Sequence, residues 1–456
     1  MRWVHERELP PFEAFLKSSC AAQLIQEGKL VSTRPLAAKE IKQLAETPAT
    51  QAFAEGAGQG RLFEHERIPF PSYAYEWAPE MLHAAGELTL ELARRALAEG
   101  FGLKDATPYN VLFRGPRPVF IDVPSFEQRP PGNAVWNAYA QFIRTFVLPL
   151  LAHRTWGVKL ADVFLTHRDG IEPEEVYRLA GWGRRLQPRF LSLVSLPTWL
   201  SGKARDEAVY QAPKPMEPEK ARFILNALFN RLGRVLRAVH PPARQSSTWS
   251  DYMATHSYNE EGFQAKEAFV KAAVEEFQPE RVIDVGANTG HFSFLAARAG
   301  ASVVSIDYDP VCVGAIWQQA VKGKLDVLPL VVDLSRPTPA VGWRNRECPS
   351  FLDRATGRFE GALFLAVIHH LLVSERIPLP EIVRLAADLV TRFAVIEFVG
   401  PQDRMFRRLT RGREALHADL TPAVFEAACA PYFEIVRTAH TPDTHRWLYL
   451  LRKKDN

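Results

Sequence analysis

Seven residues, "DVGANTG", hold Asp284, Gly286, Asn288, Thr289 and Gly290; Asp307 and Tyr308 follow in "SIDYDP", with Asp307 seventeen positions after Gly290. Two glycines this close allow a tight turn and a near approach of backbone to a ligand that side chains would block. A helix beginning near His291 would add free amide donors. A carboxylate at Asp307 then suits hydrogen bonds from both hydroxyls of a ribose, and Asp333 with Leu334 would lie beside an adenine edge. Further on, "FLAVIHHLL" supplies Ala366, His369 and His370, and "IEFV" supplies Glu397. An imidazole with a pKa near neutrality can take a proton from an attacking hydroxyl. His369 or His370 is therefore assigned as base or substrate contact, with Glu397 as helper. The plainer alternative is that one of the adjacent histidines points away and the other only caps the following helix.

These residues need strands that end where they stand. Apolar runs predict strands at 282–285, 302–307, 326–332, 361–366, 394–398, 433–438 and 447–451. Helical patterning between the early strands predicts an α/β domain with a parallel sheet covered on both faces. Ligands of such sheets bind beyond the carboxyl ends of the strands, where strand order reverses. A dinucleotide-binding domain fits less well, because "GANTGHF" lacks the G-x-G-x-x-G order.

Taken in order, "DVGANTG", "IDYDP", "VVDL", "FLAVIHHLL" and "IEFV" resemble the motif series of class I S-adenosylmethionine-dependent methyltransferases, from about Ser257 to Lys453. The resemblance implies a Rossmann-like seven-stranded sheet whose last strand, "HRWLYLLRK", inserts antiparallel. It also implies S-adenosyl-L-methionine over the first two strand ends, held by Asp284, Gly286, Asn288, Thr289, Gly290, Asp307, Tyr308, Asp333, Leu334 and Ala366. "TWSDYMATHSYNEEGFQAKEAFV", "GWRNRECPSFLDR" and "IEFVGPQDRMFRRL" are similar to a bacterial subgroup labelled nodulation-associated or uncharacterised. The absence of an Asn/Asp-Pro-Pro-Tyr/Phe stretch after the fourth strand argues against amide- and base-nitrogen methylation. Oxygen becomes the leading acceptor atom. "DRMFRRLTRGREAL" gathers Arg404, Arg407, Arg408, Arg411 and Arg413, either to grip phosphate or carboxylate or as a solvated helix face.

The first half carries a second pattern, "GLKDATPYNVLFRGPRPVFIDVPSFE". Asp105, Asn110 and Asp122 resemble, by spacing, the catalytic loop and metal-binding turn of protein kinases and small-molecule phosphotransferases. There one aspartate orients the acceptor hydroxyl, and an asparagine and a second aspartate hold magnesium on ATP. Three departures point to a degenerate domain. Lys104 precedes Asp105 where a histidine or arginine is expected, "DVPS" lacks the glycine after the metal aspartate, and "EGAGQG" at 55–60 lacks the strand context of a nucleotide loop. Asn110 and Asp122 would hold a metal only if that site were intact; otherwise no metal site is expected. Turn chemistry alone also accounts for aspartates and a proline around a hairpin.

A chain of 456 residues exceeds one ordinary core. Residues 1–240 read as a mostly helical, kinase-like α+β domain, with a possible N-lobe remnant at 1–77 and C-lobe at 78–240. Residues 241–256 read as a Pro- and Ser-rich linker and 257–456 as the methyltransferase-like domain. The formal charge of +4 implies no general nucleic-acid binder, so DNA is not expected as a partner and RNA is disfavoured. Four scattered cysteines form no disulfide or zinc pattern, and no apolar run is long enough to cross a membrane. A cytoplasmic protein acting on a small-molecule or glycan-type acceptor is expected. A bifunctional kinase-methyltransferase and a non-catalytic ligand-binding scaffold are the alternatives. Oligomeric state is not readable from the sequence.

Overall fold

The computed structural model describes residues 1–46, 60–201, 215–242, 260–442 and 444–455. Apart from Pro241 and Pro242, the expected linker at 241–256 lies outside them, as do 257–259 and residues 55–59 of "EGAGQG". The chain divides into two compact units: Met1–Tyr75, Pro79–Arg114 and Pro118–Pro242 form the first, and Glu76–Ala78, Gly115–Arg117 and Ala243–Asn456 the second.

The first unit holds more strand than its helical patterning announces. Strands β1 (Arg2–His5), β2 (Thr33–Pro35) and β3 (Gly60–His65) form an antiparallel sheet of order β1-β3-β2. Two long helices, Pro79–Ala98 and Pro218–Ala238, pack on each other. A side chain at Gly86 would press on Leu236, and Arg94 donates to the Phe229 carbonyl at 2.7 Å. The first of these helices leads into β4 (Phe101–Leu103), then a turn at Pro108–Asn110, the hairpin β5 (Val111–Arg114) and β6 (Arg117–Phe120), a turn at Val123–Ser125, and β7 (Phe126–Gln128). Strand β7 returns antiparallel to β4. Asn110 thus ends the turn before the hairpin and Asp122 precedes the turn after it.

The second unit is built on one seven-stranded sheet: β8 (Arg281–Val285), β9 (Ser302–Asp307), β10 (Val327–Val331), β11 (Phe359–Phe364), β12 (Val390–Val399), β13 (Phe433–His440) and β14 (Arg446–Lys453). Its order is β10-β9-β8-β11-β12-β14-β13. The first five strands run parallel and β14 antiparallel to both its neighbours. Strand order therefore reverses between β8 and β11. Near-continuous burial of "VIDV", "VVSID" and "GALF" reflects helices on both faces, the condition for a parallel sheet.

Each expected strand forms, 302–307 with the ends expected and the others with shifted ends. β12 begins four residues earlier than its apolar core, and β11 stops at Phe364 because Ala366 takes a left-handed φ of 56°. β10 ends at Val331, so Asp333 stands beyond the strand instead of closing it.

Gly361 on β11 tests the packing. A β-carbon there would lie 2.4 Å from the Phe393 ring, which is itself stacked on Phe277 at 4.4 Å. Gly361→Ala should therefore cost about 1–3 kcal/mol by overpacking. A urea unfolding midpoint equal to that of the unaltered protein would show that this ring can give way.

Candidate active site

The chain leaves β8 through a turn that only a few residue types accept. Gly286, Asn288 and Gly290 have φ of 66°, 50° and 86°; glycine tolerates this region freely and asparagine better than most. Space is also short: a β-carbon on Gly286 would lie 3.0 Å from Val367, and one on Gly290 would lie 2.9 Å from Ile316. The Gly286 and Ala287 amides donate to the Ile306 carbonyl at 2.9 and 3.1 Å, which ties the turn to β9. Thr289 donates its amide to the Asn288 side chain at 2.7 Å, and helix His291–Arg298 begins directly afterwards.

At the tip of β9, the Asp307 carboxylate accepts the Asn288 amide at 2.9 Å on one oxygen and the Asp309 amide at 2.9 Å on the other. These bonds orient it while leaving lone pairs on both oxygens. Tyr308 beside it is 55% exposed. Asp284 points inward: it accepts the Ser293 hydroxyl at 2.6 Å, which in turn accepts the Ser305 hydroxyl at 2.7 Å. Burial pushes the Asp284 carboxyl up to about 7 and the Asp307 carboxyl up to about 6. Two adjacent strand tips thus carry carboxyls whose negative charge is incompletely compensated.

The structure brings Asp284, Gly286, Asn288, Thr289, Gly290, Asp307 and Tyr308 to one end of β8 and β9. Ala366 follows β11, and its neighbour Val367 packs toward Gly286. Asp333 is committed locally, accepting both the amide (2.9 Å) and the hydroxyl (2.6 Å) of Ser335 on one oxygen, and Leu334 is buried next to it. A cavity of about 400 Å³ lined by Thr391, Arg392, Arg452 and Lys453 sits at the opposite end of the sheet, where β12 begins, and does not belong to this site.

His369 and His370 open helix Ile368–Val373 after β11, their rings 4.2 Å apart. The expectation of a near-neutral pKa fails for both. Burial holds His369 well below its usual value, helped by the positive charges of Arg446 and Lys266, and burial takes His370 down to about 4. Both rings are neutral at physiological pH. Among the described residues, Nδ1 of His369 is buried without a hydrogen-bond partner.

Glu397 also needs correction as a helper of the histidines. Fully buried on β12, it takes Lys266 at 2.6 Å and Arg446 at 3.4 Å. Arg446, the first residue of β14, also grips Asp403 with bonds of 2.8 and 3.2 Å. Glu397 is therefore a member of a buried ion network. Sequence reasoning missed Lys266, Asp403 and Arg446. One signal existed for Lys266, which interrupts the apolar stripe Phe263, Val270, Ala273, Val274 and Phe277 of helix Glu260–Phe277.

In the first unit, Asn110 donates to the Ser125 hydroxyl at 3.3 Å, and Ser125 donates to Asp122. The other Asp122 oxygen is paired with the Arg2 guanidinium, and Asp105 is exposed. A magnesium ion between Asn110 and Asp122 would have to displace that guanidinium. The residues present therefore do not fit the metal site that the kinase-like pattern would require.

The reversal between β8 and β11, the antiparallel β14 and the glycine turn facing Asp307 are the architecture implied by the resemblance to class I methyltransferases. No protein-family model matches the chain. It is 27% identical over 434 residues to the nodulation protein NoeA of Rhizobium meliloti (strain 1021), covering 95% of this chain and 88% of that one. Among solved structures, the N-methyltransferase NodS from Bradyrhizobium japonicum WM9 aligns with 43% of this chain and 99% of its own, at 12% identity and a TM-score of 0.32. The bifunctional kinase-methyltransferase WbdD aligns over 44% of this chain and 41% of its own, at 19% identity and a TM-score of 0.33; less than half of that protein is matched. No helix among the described residues is long and apolar enough to cross a membrane.

Two predictions follow from these charges. Asp284 is harder to ionise folded, at about 7, than at its ordinary value of 3.8. Its contribution to stability is full below about pH 4 and is lost as pH rises through about 7, by at most roughly 4 kcal/mol. Asp284→Asn should therefore flatten the pH dependence of Tm between pH 5 and 8 and raise Tm at pH 8; an unaltered slope would show that the group is compensated. In the first unit, the Arg2–Asp122 pair predicts no magnesium-dependent ATP turnover by the purified protein. Turnover that disappears in Asp122→Ala would establish an intact phosphotransfer site instead.

Proposed function

We propose that this protein is an S-adenosyl-L-methionine-dependent methyltransferase acting on a hydroxyl of a small-molecule or glycan-type acceptor. On this reading the first unit presents substrate or regulates. The observation that carries the proposal is the Asp307 carboxylate, oriented by the Asn288 amide of the neighbouring turn at the point where strand order reverses.

The residues fit the donor. Asp307 offers acceptor lone pairs to two ribose hydroxyls, and hydroxyl donors would relieve a carboxyl that burial pushes up to about 6 despite its bonds from backbone amides. When bound, S-adenosylmethionine supplies a methyl carbon attached to a positively charged sulfur. The chain's contribution is chiefly alignment in a site that excludes water. Gly286 and Gly290 let the backbone come close, and the Asp284–Ser293–Ser305 bonds fix the turn's helix against the two strands.

His369 serves this chemistry as a hydrogen-bond acceptor for the substrate hydroxyl through its unpartnered Nδ1. As the new oxygen–carbon bond forms, the oxygen becomes strongly acidic, so even a weakly basic imidazole accepts its proton. A depressed pKa is thus compatible with the role, whereas a permanently protonated histidine would not be. His370 is the second contact on the same helix turn.

Asp307→Ala should weaken S-adenosylmethionine binding by about 10- to 100-fold, the worth of one or two hydrogen bonds to a charged group. Calorimetry giving the original affinity would remove the ribose assignment. His369→Gln and His370→Ala, tested separately, should retain donor binding and lower turnover by about 10²-fold or more for whichever ring takes the proton. Unchanged turnover in both would leave no role for either ring. The acceptor itself is found by incubating the protein with isotopically labelled donor and an extract of its own cells.

A further inference from the structure

We infer that the acceptor carries an anionic group, a carboxylate or a phosphate, bound by the arginines that follow β12. This inference rests on the methyltransferase reading for the word acceptor, but its observations are separate. Between Arg404 and Arg413 the chain places five arginines and no acidic residue. Arg404, Arg407, Arg408, Arg411 and Arg413 are all exposed, and among the described residues none is paired with a carboxylate. Arg407 donates only to Gln402.

The adjacent carboxylates are already spent. Asp403 caps helix Arg404–Thr410 by accepting the Met405 amide at 2.8 Å, and it also binds the buried Arg446. Glu414 accepts the Gly412 amide at 2.9 Å. Within the helix, Arg404 and Arg408 are like charges four positions apart, which lowers its stability unless something between them is anionic. The segment is nonetheless held firmly. Phe406 is buried with Val373 and Val399, and its helix packs on Ile368–Val373, the helix that carries His369 and His370. Asp403 and Arg446 fasten its start to the carboxyl end of β12, at the same edge of the sheet as the histidines. Unpaired guanidinium groups are thus presented beside the place where a substrate would meet the methyl carbon. Guanidinium forks suit two-point contact with carboxylate or phosphate oxygens, and a neutral acceptor would make no use of them.

The test uses the full chain and the triple variant Arg404→Ala/Arg408→Ala/Arg411→Ala, whose side chains are exposed and leave the core intact. Pyrophosphate and glucuronate are titrated by calorimetry at low salt, with methyl glucoside as neutral control, and S-adenosylmethionine binding is measured in the same samples. The expected result is anion binding by the unaltered protein, at least tenfold weaker in the variant, with donor affinity unchanged. Absence of anion binding, equal affinity in both proteins, or equal binding of the neutral sugar would overturn the inference. Anion binding through these arginines in a protein that does not bind the donor would sink the methyltransferase reading while the anion site stands. With acceptor from cell extract, the variant should show a KM raised at least tenfold with kcat within about twofold. The labelled product should be retained on an anion exchanger, with phosphatase treatment separating phosphate from carboxylate; a neutral product would refute the inference.

Discussion

Buried negative charge at the tips of parallel strands is the constraint around which the second unit is arranged. Among the described residues, Asp284, Asp307, Glu397 and Asp403 are buried near the sheet's carboxyl edge, and the chain deals with these carboxylates in two ways. Glu397 and Asp403 are matched by Lys266 and Arg446 at 2.6 to 3.4 Å, all four side chains being buried. Asp284 and Asp307 receive only hydroxyl and amide donors, and burial raises both. Matching buried charges with buried charges rarely adds net stability, because desolvation offsets the attraction. Such a network instead fixes geometry: it joins helix Glu260–Phe277, β12, β14 and the turn before helix Arg404–Thr410. On the proposed reading, hydroxyl donors of a ligand would meet the Asp307 carboxylate.

The first unit makes the opposite choice with a similar set of residues. Asn110, Ser125 and Asp122 form a hydrogen-bonded chain in the order expected of a metal-binding turn, yet a guanidinium from β1 meets the carboxylate that would hold the metal. An arginine satisfies that carboxylate without offering the open coordination positions through which a metal ion acts on a phosphate. The fold of this segment and its phosphotransfer chemistry are therefore separable, as fold-level likeness in general does not carry function.

What was legible in the sequence divides along chain distance. Gly286, Asn288 and Gly290 could be read because the turn is local: its left-handed backbone demands those residue types within five positions. Asp307 could be read because one helix and one strand fix its separation from the turn. The strands could be read because burial on both faces leaves long apolar runs, although their ends depended on turns such as Ala366 that apolar patterning does not encode. Arg2 could not be placed on Asp122, 120 positions away, nor Arg446 on Glu397, because nothing local requires either pairing. The same blindness produced the misreading of Glu397, whose partners come from distant elements, and of the histidine pKa values, which burial lowers first and distant cations lower further.

On the proposed reading those cations also bear on the atom that would receive the methyl group. Lys266 and Arg446 act on His369 in the same direction as burial, keeping the ring from accepting a permanent positive charge. The same field acts on an acceptor placed against that ring. Methylating an amine leaves a cationic nitrogen, at least until a proton departs, in a region already disfavouring positive charge. Methylating a hydroxyl would leave a neutral ether once its proton has passed on. On the proposed reading, a hydroxyl acceptor would therefore suit the surroundings of His369 better than an amine would.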